Sequence, residues 1–107
     1  MDLDKLRQTL AEFETKYWDA PADEAGKTRH IALHIMKLAG KLGTIVERRE
    51  HGLEPGLEQL KNEVIPDLLY YALSLSLAHD VELEKAFLKR LEGDKHRVTD
   101  WQVKRDG

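Results

Sequence analysis

The sequence predicts an all-α protein, a four-helix bundle with long central helices 2 and 3. Apolar residues return at spacings of three and four along most of the chain, and clusters of proline, glycine and small polar residues separate the runs that carry them. At 107 residues the chain has the size of one domain, so 1–107 reads as a single helical unit, with about 94–107 as a polar C-terminal tail.

Leu3, Leu6, Leu10, Phe13 and Tyr17 are separated by charged and polar residues, which predicts an amphipathic helix from about Asp2 to Trp18. Residues 19–26 contain a proline and a glycine but no periodicity, and read as a loop, with Thr28 placed to cap the second helix. Ile31, Ile35, Leu38, Leu42, Ile45 and Val46 mark the face of that helix, stopped by the cations Arg48 and Arg49 and by Gly52. A third run, from Leu57 to about His79, has Pro66 inside it, which predicts a kink or a fresh start because proline removes one backbone donor and crowds the preceding turn. Asp80 is placed to cap a fourth helix over Val81, Leu83, Phe87, Leu88 and Leu91, with Gly93 at its end. In the tail, Val98, Trp101 and Val103 are the apolar residues available to dock on a neighbour.

Lysine and arginine number 17 against 20 acids, a net charge of -3, so no overall field draws DNA, RNA or an anionic membrane. Cysteine is absent, and the first residues form an amphipathic helix start instead of a basic region with an apolar run after it, which leads to the expectation of a cytoplasmic protein. There is no glycine-rich phosphate loop and no nucleophile beside a base at a familiar spacing.

Two segments carry a resemblance. Ala32 to Leu42 reads ALHIMKLAGKL, and Glu63 to Leu73 reads EVIPDLLYYAL. They resemble the signature segments of the MazG-like, all-alpha NTP pyrophosphatase family, which run approximately A-L-x-L-x-E-E-x-G-E-L and E-E-L-x-D-V-L-x-Y-L. Around them, Phe13, Tyr17 and Trp18 match an aromatic end of the first helix. Ala78 to Ala86 is similar to G-I-D-L-E-E-A, and Lys89 to Arg97 to K-L-E-K-N-K-x-R. The likeness runs over about 13–97.

The resemblance implies the family's helical architecture, burial of helix faces between subunits, and hydrolysis of nucleoside triphosphates to the monophosphate and pyrophosphate. It also implies magnesium held by carboxylates of two facing helices, since Mg2+ takes oxygen ligands and must offset the triphosphate charge. The acidic letters are mostly missing. In the first segment they fall on Lys37, Leu38 and Lys41; in the second Glu63 is retained, Val64 replaces the next, and Asp67 remains. Of the four positions implied as metal ligands, Leu38, Lys41, Val64 and Asp67, only Asp67 is an acid. A lysine ammonium there opposes a metal, because two unit charges ~4 Å apart interact by about 4 kcal/mol at an effective dielectric of ~20, doubled for a divalent ion. Lys41 or Lys37 is therefore expected to pair with Asp67 in place of the ion.

The residue-level alternatives stay open beside this. Lys37 and Lys41, four apart, also fit an ordinary solvated helix face. His30 and His34 share the spacing that clamps a transition metal when a third ligand such as His51, His79 or Glu63 approaches, and otherwise read as surface or core-edge histidines. Tyr70 and Tyr71 read as core or interface.

The expectation drawn from both lines is a catalytically degenerate relative that binds a nucleotide or phosphate compound or acts by assembly, without cofactor. Its candidate pocket is Lys37, Lys41, Glu63, Asp67, Lys95 and Arg97. The first alternative is an active Mg-dependent NTP pyrophosphohydrolase with an altered metal site drawn from acids such as Glu47, Glu50, Glu82 and Glu84; the second is a purely structural oligomer. A homo-oligomer, dimer or tetramer, is expected because so small a core gains from it.

Overall fold

The computed structural model describes residues 2–106, with side chains described through Lys95. All regular structure among the described residues is helical: α1 (Leu3–Tyr17), α2 (Glu24–Glu50), α3 (Leu57–Gln59), a π turn (Leu60–Val64), α4 (Ile65–Ala78) and α5 (Leu83–Asp106). None of these helices is long and apolar enough to cross a membrane.

α1 lies where the periodicity places it. Asp2 caps it by accepting from the Lys5 N–H at 2.8 Å, and its chain leaves in extended conformation at Trp18. α2 begins four residues before Thr28, the expected cap. Asp23 performs that role, its carboxylate accepting from the Gly26 N–H at 2.7 Å. Thr28 is thereby left inside the helix, and its hydroxyl instead meets His79 Nε2 at 2.7 Å. His79 Nδ1 lies 2.9 Å from Glu24, so in the neutral ring Nδ1–H donates to the carboxylate and Nε2 accepts from Thr28, fastening the start of α2 to the end of α4.

In place of the kink or fresh start expected at Pro66, the helix stays continuous and widens into a π turn just ahead of it. With no N–H to give and a ring pressing on the preceding turn, the proline cannot continue a regular ladder, and the Ile65 N–H bonds to Leu60 O, five residues back. All three pieces keep right-handed helical angles at their junctions, so residues 57–78 form one rod with a π turn inside it.

Two expected boundaries are corrected. Asp80 does not cap α5; at φ 52° it is the left-handed residue that ends α4, with the Val81 N–H returning to Ser76 O at 2.9 Å. Gly93 does not end α5, which runs on to Asp106, so the segment expected as a tail is helical in its backbone. A helix-interior glycine costs about 1 kcal/mol, and the strong helix formers Lys89, Arg90, Leu91 and Glu92 ahead of it offset that. The side chains of Val98, Trp101 and Val103 lie outside those described.

The core sits where α2 meets the π turn and α4. Ile31, Leu38 and Ile45, seven apart, form one buried line along α2, and Leu38 and Ile45 cluster with Val64, flanked by Leu60 and Tyr71. α1 adds Leu10 against α4, which supplies Leu73. Leu42 and Val46, expected on the same face of α2, are largely exposed. α5 packs against α1.

Leu38→Ala, at the centre of this cluster, is expected to lower unfolding stability by about 2–5 kcal/mol, whereas Met36→Ala, two residues away on the exposed side, changes it by under about 0.5 kcal/mol. Urea midpoints of the two variants, at unchanged slope, check this.

Candidate functional site

α2 crosses the rod beside the π turn, and the packing of Leu38 and Ile45 on Val64 fixes which polar groups meet at the edge of that contact. Lys41, one turn beyond Leu38, comes against Glu63, the neighbour of Val64, and its ammonium donates to Glu63 Oε1. Gln59 Nε2 donates to the other carboxylate oxygen at 3.1 Å. Asp67 and Tyr71 come next on the same side of the rod, close enough for their charges to act on Lys41.

The hydrogen bond to Glu63, and then the charge of that carboxylate, hold the Lys41 pKa above its ordinary 10.5. The hydrogen bonds from Lys41 and then Gln59 hold Glu63 below its ordinary 4.5. Both side chains remain partly open to water, so the pair is a surface interaction that salt screens.

Of the two lysines expected to replace a metal ion, Lys41 does reach across to the rod, but its partner is Glu63 instead of Asp67. Lys37 lies a turn away, beside His30, Leu33, His34 and Met36 in a shallow depression of the α2 surface. Lys95 stands on α5, which packs on α1, and is not among the groups acting on Lys41. The Arg97 side chain lies outside those described. Of the sequence-derived pocket, the structure brings Lys41, Glu63 and Asp67 together.

Asp67 also belongs to a larger feature that the sequence shows only in fragments. With Tyr70, Tyr71 and Ser74, at spacings of three and four on α4, it lines a hollow of about 330 Å³ bounded by Phe13 and Tyr17 of α1, by Trp18 just past its end, and by His30, Ile31 and His34 of α2. The rings form a chain: Trp18 to His30 at 5.4 Å, His30 to His34 at 4.6 Å, and His34 to Tyr71 at 5.8 Å and 23°. Tyr70 meets Tyr71 edge-on at 5.2 Å. Burial raises the pKa of both tyrosines, helped by Glu14 at Tyr70 and Asp67 at Tyr71, so both phenols stay protonated donors at neutral pH. Ser74, buried at the floor, donates to Glu14 at 2.5 Å.

The i,i+4 histidines therefore sit among aromatic rings. His79, one suggested third ligand, is engaged with Glu24 and Thr28, and Glu63 is engaged with Lys41. Among the described residues no three His, Asp or Glu side chains are placed to hold a metal ion together. Magnesium does not fit this donor set: Leu38 and Val64 are 3% and 1% exposed in the core, and the Lys41 ammonium stands at the third position. What the hollow can do is hold a flat ring by stacking, with two phenols and a carboxylate to orient it.

The ion pair makes a pH prediction. Glu63 contributes stability above its ordinary 4.5, lost as pH falls through its lower folded pKa; Lys41 contributes below 10.5, lost as pH rises through its higher one. The melting temperature of Glu63→Gln should therefore fall short of wild type at neutral pH and low salt, and the gap should close in acid; a gap unchanged in acid would count against the pair. No protein-family model, curated protein or solved structure matches this chain.

Proposed function

We propose that this chain is a catalytically degenerate protein of MazG-like architecture that binds a nucleotide and does not hydrolyse it. The observation that carries this reading is the Lys41–Glu63 ion pair beside an aromatic hollow. The resemblance implies a divalent ion at this edge of the helix contact; a lysine ammonium takes that position and uses one of the two surviving acids. The adjoining hollow has the lower end of the volume range typical of small-molecule sites, enough for a nucleobase. Its stacked rings suit any base, because every base has a π face, and the Asp67 carboxylate suits a ring that offers a donor. Lys37, beside His34, is the cation this reading assigns to a phosphate.

An active pyrophosphohydrolase is less well supported. Glu82 and Glu84 line a separate depression with Asp4 and Arg7, and Glu47 and Glu50 stand at the exposed end of α2. The reading includes assembly of like subunits, since few of the described side chains are fully buried.

Two measurements test it. Pyrophosphate release from a panel of NTPs and dNTPs with Mg2+ or Mn2+ should be at background; turnover that Asp67→Ala abolishes would restore the enzyme reading. Without metal, at 100-fold excess over Kd, a nucleotide should add about 2.7 kcal/mol and raise Tm by roughly 10–20 °C. Trp18→Ala and His34→Ala should each remove most of that rise, and no rise with any nucleotide would end the binding proposal.

A further inference from the structure

A threonine inside a helix commonly returns its hydroxyl to the carbonyl one turn back. Thr9, Thr15 and Thr44 all do so, at 2.8–3.1 Å. Thr28 does not: its hydroxyl lies 2.7 Å from Nε2 of His79, a residue 51 positions away in the chain. On the other side of the ring, Nδ1 lies 2.9 Å from the Glu24 carboxylate. With the ring proton held on Nδ1 by that carboxylate, Nε2 is a base directed at the Thr28 hydroxyl. Hydroxyl, imidazole and carboxylate thus stand in series, an arrangement of nucleophile, base and orienting acid that is recognised by geometry and not by order in the chain.

Thr28 and His79 also border an open, almost wholly apolar hollow of about 520 Å³, walled by Ala72 and Leu75 of α4 and by Val81 and Leu83 beyond it. Ser76 reaches the same hollow, but it is 3% exposed and donates to Leu73 O at 2.6 Å, which leaves Thr28 as the hydroxyl facing a base. The side chains of His79 and Glu24 are 38% and 64% exposed, so a substrate has access to the series. An apolar recess beside an activated hydroxyl suits the aliphatic acyl chain of an ester.

We infer that Thr28, His79 and Glu24 form an acyl-transfer site that cleaves activated esters, with an aliphatic acyl chain lying in the apolar hollow. The Thr28 oxygen attacks the ester carbonyl carbon while its proton passes to His79 Nε2. The bond from that carbon to the leaving oxygen breaks, and the leaving group takes the proton from His79, so an acyl ester of Thr28 and a free alcohol result. Water then attacks the acyl carbon and gives its proton to His79, which returns it to the Thr28 oxygen as the carboxylic acid departs. Thr28 and His79 are the catalytic residues, and Glu24 is a positioning residue that holds the ring. Because the site is open, water solvates the developing oxyanion, which restricts the substrates to esters with good leaving groups, such as nitrophenyl esters. None of the residues assigned to a nucleotide is used, so each reading stands without the other.

The full chain is incubated with p-nitrophenyl acetate, butyrate and hexanoate. Nitrophenolate release should saturate with ester, and kcat/KM should rise about two- to fourfold for each added CH2 as the chain fills the hollow. Wild type quenched in acid during turnover should carry the acyl group on Thr28 by peptide mass spectrometry, and none on Thr9, Thr15 or Thr44. Thr28→Val and His79→Gln should each lower kcat by about 100-fold or more and abolish that adduct. Glu24→Gln should lower kcat by about tenfold at unchanged KM, a modest loss because the carboxylate is exposed, and Glu24→Asp should recover part of it. Release at background, release that survives Thr28→Val, or a quenched wild type with Thr28 unacylated overturns the proposal. The wild-type adduct needs no variant, so it decides the outcome even where a substitution prevents folding.

Discussion

The contact of Leu38 with Val64 determines more of this molecule than any polar interaction in it. Both side chains are almost fully buried, and they join the middle of the longest helix to the widened turn that Pro66 imposes on the neighbouring rod. Once they meet, the residues beside them have little choice of partner. Lys41 lies one turn along α2 and Glu63 one residue before Val64, so burial of the apolar pair delivers the ammonium to the carboxylate at the rim. The ion pair is the consequence of that docking, and its partial exposure keeps its own contribution to stability small.

The same docking sets the level at which the rings gather. α1 and α2 both pack on α4, and the short loop between them leaves Trp18 against His30, with His34 one turn further on. The rod then places Tyr70 and Tyr71 opposite, both about two turns beyond the π turn. Three helices contribute, and the hollow exists only where they overlap. Ser74, buried beneath it, takes Glu14 as its acceptor, so the floor is polar but satisfied. On the other side of the helix that forms this floor, the leucines are open.

Much of the local structure is legible in the residues themselves. The limits of α1, the irregular turn ahead of Pro66 and the helical character of every run come from periodicity, from capping groups and from a missing donor, which act within a few residues. The boundaries that differ from the sequence expectation involve competition between neighbours: Asp23 outcompetes Thr28 as a cap, Asp80 ends one helix without starting the next, and Gly93 is carried through by the helix formers before it. Lys41, Glu63 and Asp67 are identifiable as one site because the resemblance puts them at corresponding places on two segments.

The pairing inside that site is not legible, because it depends on the registry of two helices. Lys41 reaches Glu63 because Glu63 is the neighbour of Val64, which packs on Leu38 one turn before Lys41. The ring-lined hollow is hidden for the same reason: Trp18, His30, His34 and Tyr71 look like unrelated aromatic residues until three helix axes bring each ring within 6 Å of the next. Sequence by itself determined where the chain is helical, since this is a property of local spacing and composition. Only the tertiary structure decided which charges meet, where a ring can lie and which leucines remain uncovered, since these depend on how the helices pack side by side.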